Sequence, residues 1–301
     1  VPVLERLLGL LVLLLVGTGL RMSGILDDTR AARLNTLTYY VALPALIFGA
    51  TYGRSIAALL SPSLFEGLVV VMAATLALAW VVHRREESGR RSVALVQSYH
   101  SNLGYLGLPL VAATFGGRIT AVASVVLGVV SLLQVPITIL VLSTMSEAEV
   151  DVTRELRGLA TNPVLLSLIA GLAVGSANLA VPSSIAAGLD GLGSLALPLA
   201  LLCVGSSLHV DRSDLDLSTT GWVVLLKNGC MPALAWGVFS LLAVDPATFT
   251  ASVVMFGTPT AVSTFVYANE LGGDARFASV NVFVTTLVSV GSLFVLINLV
   301  G

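Results

Sequence analysis

Apolar runs long enough to cross a lipid bilayer fill almost the whole chain, at residues 3–20, 32–52, 62–82, 93–116, 119–144, 163–180, 185–208, 218–243, 247–271 and 275–299. A spanning helix needs about 20 predominantly apolar residues to cross roughly 30 Å of hydrocarbon. Only 11% of the 301 residues are charged and 56% are hydrophobic, too few charges to cover a globule in water. The pattern predicts an all-α membrane protein of ten transmembrane helices set in a lipid bilayer, with no room for a catalytic domain outside it. The first run opens with Glu5-Arg6 and lacks a small-residue cleavage site, so it reads as a helix and not as a signal peptide. A net charge of −2 with scattered basic residues offers no nucleic-acid patch.

The longest polar connection, 146–162, carries Glu147, Glu149, Asp151, Arg154, Glu155 and Arg157. It divides the chain into a first five-helix repeat (1–145), a cytoplasmic linker (146–162) and a second five-helix repeat (163–301). Placing both termini outside puts eleven loop arginines on the inner face (21, 30, 33, 84, 85, 90, 91, 154, 157, 212 and 276) and three on the outer (6, 54 and 118). Positive residues are retained on the cytoplasmic side. Five helices is an odd number, so the second repeat runs opposite to the first and the two are inverted.

Two of the runs are interrupted at matching places in the two halves. Ser101-Asn102-Leu103-Gly104-Tyr105-Leu106-Gly107-Leu108-Pro109 breaks the fourth, and Gly257-Thr258-Pro259-Thr260-Ala261 the ninth. Backbone freed at mid-membrane is tolerated only inside protein or around a watery site. Paired breaks of this kind point to a substrate site between inverted repeats, where the fourth and ninth helices cross. Ala42-Leu43-Pro44-Ala45-Leu46 and Ala196-Leu197-Pro198-Leu199-Ala200 echo each other in the second and seventh helices. Aligning Gly116-Gly117 with Gly272-Gly273 brings Ser101-Asn102, to within one residue, opposite Thr258-Pro259; a second register pairs Pro109 with Pro259.

The amide of Asn102 offers donors to an anion, and half-helix N-termini add partial positive charge without a formal cation. Ser101 lies beside it, Thr258 and Thr260 can bond released carbonyls around Pro259, and Gln134 either completes the site or joins helices. Lys227, the sole lysine, lies deep in the eighth helix, where a cation is expensive unless it pairs, faces the interior or touches a ligand. Asp190 is one candidate partner. His100 is a titratable group beside the first break, and a gating or charge role is assigned to it and to Lys227. His83 and His209 are expected in solvated loops. Cys203 and Cys230 read as small core residues, Glu66 and Glu270 as helix-end groups reaching water, and Pro44, Pro136, Pro198 and Pro232 as ordinary kinks. Histidine and cysteine spacing predicts no metal site, and no cofactor motif is present.

The stretch 101–110 resembles the signature of the auxin efflux carrier family, particularly its shorter prokaryotic members. Pro259 followed by Phe265-Val266-Tyr267-Ala268-Asn269-Glu270 resembles the family's second broken helix, and Gln134 is similar to a family glutamine. The resemblance implies a scaffold part and a transport part that move as an elevator, with Asn102 on the substrate carboxylate, Pro259 at the second crossing, Gln134 in the pocket, and a homodimer. It departs at Ser101, where plant carriers have proline, and it lacks their long cytoplasmic loop.

The combined expectation is a secondary transporter of small organic anions, carboxylates such as auxin-like acids, malate or malonate, in the plasma membrane of a prokaryotic cell. The alternative is a sodium-coupled symporter of the bile-acid-transporter type, with a cation site behind the crossing. A membrane enzyme lacks convergent nucleophile, base and metal spacing, and saturable exchange of labelled substrate separates a carrier from a channel or sensor.

Overall fold

A computed structural model describes residues 2–146, 152–207 and 217–301. Among the described residues all regular structure is helical. The elements are α1 (Pro2–Met22), α2 (Asp28–Thr51), α3 (Pro62–Val82), α4 (Ser88–Tyr99), α5 (Leu103–Thr114), α6 (Gly117–Ser146), α7 (Val152–Ala160), α8 (Pro163–Ser176), α9 (Ser183–Ser207), α10 (Ser218–Leu241), α11 (Pro246–Phe256), α12 (Ser263–Glu270) and α13 (Ala275–Val300). Six of these, α2, α3, α6, α9, α10 and α13, are long and apolar enough to cross a membrane; Leu11–Met22, Leu103–Thr114, Pro163–Ser176 and Pro246–Phe256 are apolar but shorter. The predicted linker contains α7, while its acidic residues Glu147, Glu149 and Asp151 lie outside the described residues, as do His209 and Arg212.

Helix starts follow a local rule three times over. Ser61, Asn162 and Asp245 each precede a proline, and their side chains accept from Leu64 N (3.1 Å), Val164 N (2.9 Å) and Ala247 N (3.2 Å). The side chain occupies orphan donors of the first turn, and proline at the first helical position loses nothing, because its missing N–H had no partner there. The prediction began the second helix at residue 32; Asp27 caps it earlier by accepting from Arg30 N at 2.8 Å.

Prolines inside helices are answered differently. Pro44, Pro109 and Pro232 each follow a π-turn, Thr38–Ala42, Leu103–Gly107 and Leu225–Cys230. A proline clashes with the carbonyl four residues back and cannot donate to it. The residue just ahead of each proline instead reaches back five, Leu43 N to Thr38 O, Leu108 N to Leu103 O and Met231 N to Leu226 O. The widened turn carries the clash without ending the helix.

The helices sort into two groups by packing. In one, α1 lies along the second half of α9, and α2 packs on α8 and on the first half of α9. These contacts are near-backbone: a Cβ on Gly205 would stand 2.1 Å from Leu14 O, and one on Gly175 2.1 Å from Arg54 O. In the other group, α3, α4, α6, α10, α11 and α13 pack on one another, with the short α5 and α12 attached. Fully buried Leu64, Leu68, Val93, Val122, Val126, Val253, Phe239 and Phe256 make the interior of this second group. The groups meet chiefly where α9 faces α5, α2 faces α6 and α1 faces α13.

Candidate functional site

Both predicted breaks are present. α4 stops at Tyr99 and α5 resumes at Leu103; α11 stops at Phe256 and α12 resumes at Ser263. Between them the two extended stretches pair as an isolated antiparallel bridge, Ser101 with Thr260. Asn102 N donates to Pro259 O at 2.8 Å, and Ala261 N donates to His100 O at 3.0 Å. Backbone groups released by one break therefore satisfy those released by the other, which is how unwound backbone survives inside a membrane protein. The local two-fold of this bridge relates His100 to Pro259, Ser101 to Thr260 and Asn102 to Ala261. That register is neither of the two read from the sequence, because glycine and proline landmarks mark turns and not the hydrogen-bonding partner.

Every residue of the crossing is buried, and their side chains divide into those that hold the crossing and one that does not. Gln134, on α6, accepts from Ser101 N through Oε1 (3.1 Å) and donates from Nε2 to Ser101 O (3.3 Å), so its amide is spent on the backbone of the break. Thr260 donates to His100 O (3.2 Å) and Thr258 to Met255 O (2.8 Å). Ser101 Oγ lies 3.5 Å from Tyr99 O and 3.7 Å from Met231 Sδ. His100 is fixed by Thr138, whose hydroxyl lies 2.7 Å from the ring Nδ1 and 2.9 Å from the Tyr99 hydroxyl. Asn102 caps α5: its Oδ1 accepts from Tyr105 N at 3.3 Å. Because that partner is a donor, the other amide atom is Nδ2, and it is buried with no hydrogen-bond partner among the described residues.

Lys227 is fully buried in the π-turn of α10. Its Nζ donates to Phe256 O at 3.0 Å and lies 3.2 Å from Met231 Sδ. The ammonium thus sits on the carbonyl end of α11, the end at which the helix dipole and unpaired carbonyls favour a cation. Asp190, weighed as its partner, lies elsewhere, in a cavity between α2, α5 and α9. His83 is also corrected: it is buried, not solvated, with Nε2 3.4 Å from Ser98 Oγ. Desolvation, reinforced by the Arg91 charge, pulls its imidazole down to about 4. Cys203 is a buried free thiol beside Thr38, and Cys230 is free and half-buried.

Two features escaped the sequence reading. Behind the crossing, Gln97 Nε2 donates to Thr264 Oγ1 and Ala278 O, both 2.9 Å, while its Oε1 accepts from Asn281 Nδ2 at 2.8 Å. This ties α4 to α12 and α13; polar residues inside apolar runs were its available signal. The second is the cavity itself, about 750 Å³, lined by Gly49, Arg54, Pro109, Ala112, Thr120 and Asp190 among others. It does not include the crossing residues. α5 connects the two, with Asn102 at its start and Pro109 and Ala112 along the cavity.

Residues 2–297 match the family described as membrane transport protein. The chain belongs to that family. It is a multi-pass membrane transporter and not an enzyme, in agreement with the resemblance of its first break to the auxin efflux carriers. It is 27% identical over 293 residues to a protein of Methanothermobacter thermautotrophicus described as an uncharacterized transporter, covering 96% of this chain and 95% of that one. It is 24% identical over 275 residues to a Rhizobium meliloti protein described as a "putative malonate transporter", covering 89% and 86%.

Proposed function

We propose that this transporter carries small organic anions, carboxylates of the size of malonate or malate, and that the crossing is where the carboxylate is held. The observation that carries this reading is the orphaned donor of Asn102. A buried amide N–H₂ without an acceptor costs about 1–3 kcal/mol, and a carboxylate at that point would supply the acceptor. The nearby N-termini of α5 and α12 add partial positive charge. Ser101, Gln134, Thr258, Pro259 and Thr260 hold the unwound backbone in place around it. The description of the Rhizobium relative favours the same substrate class.

The pairing at the bridge supports an inverted repeat of two five-helix halves, 1–145 and 163–301, making ten helices with the shorter apolar ones counted as spans. The two packing groups support a division of labour: α1, α2, α8 and α9 stay as a scaffold, and the group carrying the crossing slides against it in an elevator movement. The arginine distribution supports both termini outside a prokaryotic plasma membrane, and the family resemblance supports a homodimer. The sodium-coupled alternative is less favoured, because the carbonyl end of α11 already holds the Lys227 ammonium.

Reconstitution in proteoliposomes tests the reading. Labelled malonate or malate is expected to accumulate saturably, and Asn102→Ala is expected to lower that uptake about 10- to 100-fold, the worth of one hydrogen bond to a charged group, with insertion unchanged. Unimpaired uptake by this variant removes Asn102 from the site.

A further inference from the structure

The cavity between the two helix groups holds charged and polar groups that the crossing does not use. Arg54, just past α2, and the start of α6, at Gly116, Gly117 and Thr120, line it. α6 has 30 residues, and its first turn presents N–H groups without helical partners. Thr120 in that turn is only 4% exposed, and its hydroxyl has no hydrogen-bond partner among the described residues. Asp190 of α9 also lines the cavity, close to Gly49 of α2. Asp190 is exposed and has no ion-pair or hydrogen-bond partner among the described residues. The remaining wall is mostly small and apolar, with Ala45, Ala50, Ala112 and Ala113. An acidic group so far along an apolar helix is costly and marks a pathway when it faces water.

We propose that this cavity is a second carboxylate site, on the route to the crossing, that selects the charge state of the substrate. One ionised carboxylate is received by Arg54, the α6 N-terminus and the Thr120 hydroxyl. Asp190 then faces the far end of the molecule. A second carboxylate there meets like charge, whereas a hydroxyl or a protonated carboxyl donates to Asp190. The preferred ligand is therefore a monoanion carrying a hydrogen-bond donor, either a hydroxy acid or a half-protonated dicarboxylic acid. Arg54 and Asp190 are the charged groups lining the cavity; Arg118, at the same helix start, is turned to Asp245 at 3.5 Å. A volume of about 750 Å³ admits such a molecule with water around it. The proposal rests on the anion-transport reading and adds a selectivity that the crossing alone does not explain.

The test is uptake kinetics in proteoliposomes, with malonate, lactate and acetate as substrates and the pH on the side that the cavity faces varied. For the wild type, KM for malonate is expected to fall as the pH drops towards the acid's second pKa, because the half-protonated form grows. Lactate is expected to be preferred to acetate. Asp190→Asn, which removes the like charge and keeps the shape, is expected to lower KM for fully ionised malonate about tenfold, the effect of one unit charge at close range in a partly aqueous site, and to flatten the pH profile. Thr120→Val is expected to raise KM several-fold for all three acids. If the wild type takes up none of them, the transport reading itself fails. Where wild-type uptake is intact but Asp190→Asn keeps its pH profile and substrate order, the selectivity proposal alone is overturned. A uniform fall in kcat without a change in KM ratios makes Asp190 structural and also overturns it.

Discussion

The two broken helices share a backbone plan and differ in chemistry. Each stops, extends for a few residues and restarts, and the two extended stretches are related by the local two-fold of the Ser101–Thr260 bridge. Yet the residue related to Asn102 is Ala261, and the one related to His100 is Pro259. The first break supplies an amide with a spare donor, braced by Gln134 and Thr138. The second supplies backbone carbonyls and two hydroxyls, Thr258 turned back onto Met255 O and Thr260 onto His100 O of the first break, and Lys227 of a neighbouring helix rests on its Phe256 O. Symmetry is thus kept where geometry demands it, in the hydrogen bonds that reseal two unwound strands. It is abandoned where a ligand would have to be recognised, since a small anion needs its donor on one side only.

That asymmetry can be broken in graded steps. Asn102→Ala, with its expected loss of uptake of about 10- to 100-fold, should have the largest effect, and equal losses from substituting Ala261 would end the distinction between the two sides. Next is Lys227→Met, which keeps the length of the side chain and removes the ammonium from Phe256 O. It is expected to lower uptake about tenfold, near the worth of a charged hydrogen bond, and Lys227→Arg should recover part of it. Initial rates in proteoliposomes of matched protein content decide this.

Gln134→Leu should act through stability more than through recognition. It leaves the buried Ser101 N–H without an acceptor, at about 1–3 kcal/mol, and takes from Ser101 O the weaker of its two donors, since Leu103 N still bonds it at 2.9 Å. A lower unfolding midpoint in detergent, with KM little changed in the fraction that folds, is the expected result; a large KM increase with an unshifted midpoint would instead put Gln134 against the substrate.

The smallest effect is expected at His83, at the end of α3 and away from both breaks. Its imidazole stays neutral in the folded chain down to about 4, while in an unfolded chain it protonates near 6.5. Between those values only the unfolded state takes up the proton, so stability from this group is undiminished above about pH 6.5 and falls as the pH drops towards 4. Thermal unfolding of the wild type and of His83→Gln at pH 7 and pH 5 reads it. The gap between the two proteins should shift in favour of the variant at the lower pH.

Much of this architecture was legible without coordinates. Run lengths gave the helices to within a few residues, because a lipid-facing helix has to be apolar along its whole length. The spans begun at 62, 163 and 247 fall on or next to starts that Ser61, Asn162 and Asp245 cap, through bonds made within one turn. The breaks, read at 101–109 and 257–261, were visible because polar and helix-breaking residues are conspicuous in an apolar run, although the first proved shorter, with α5 resuming at Leu103. Asn102 was singled out for its amide, but nothing local tells which of its two polar atoms is left over. Gln134 is the instructive case: its position in the fifth helix was plain, yet its use depends on Ser101, 33 residues away.

The sequence by itself determined that the chain is a helical membrane protein and where its helices are interrupted, since hydropathy and backbone chemistry act over a single turn or a single crossing of the bilayer. Only the tertiary structure decided which carbonyl each freed N–H would meet, where the Lys227 charge would rest, that His83 would be buried and that Asp190 would face a cavity instead of that lysine. Those outcomes depend on distances between helices far apart in the chain, which packing sets and residue order does not reveal.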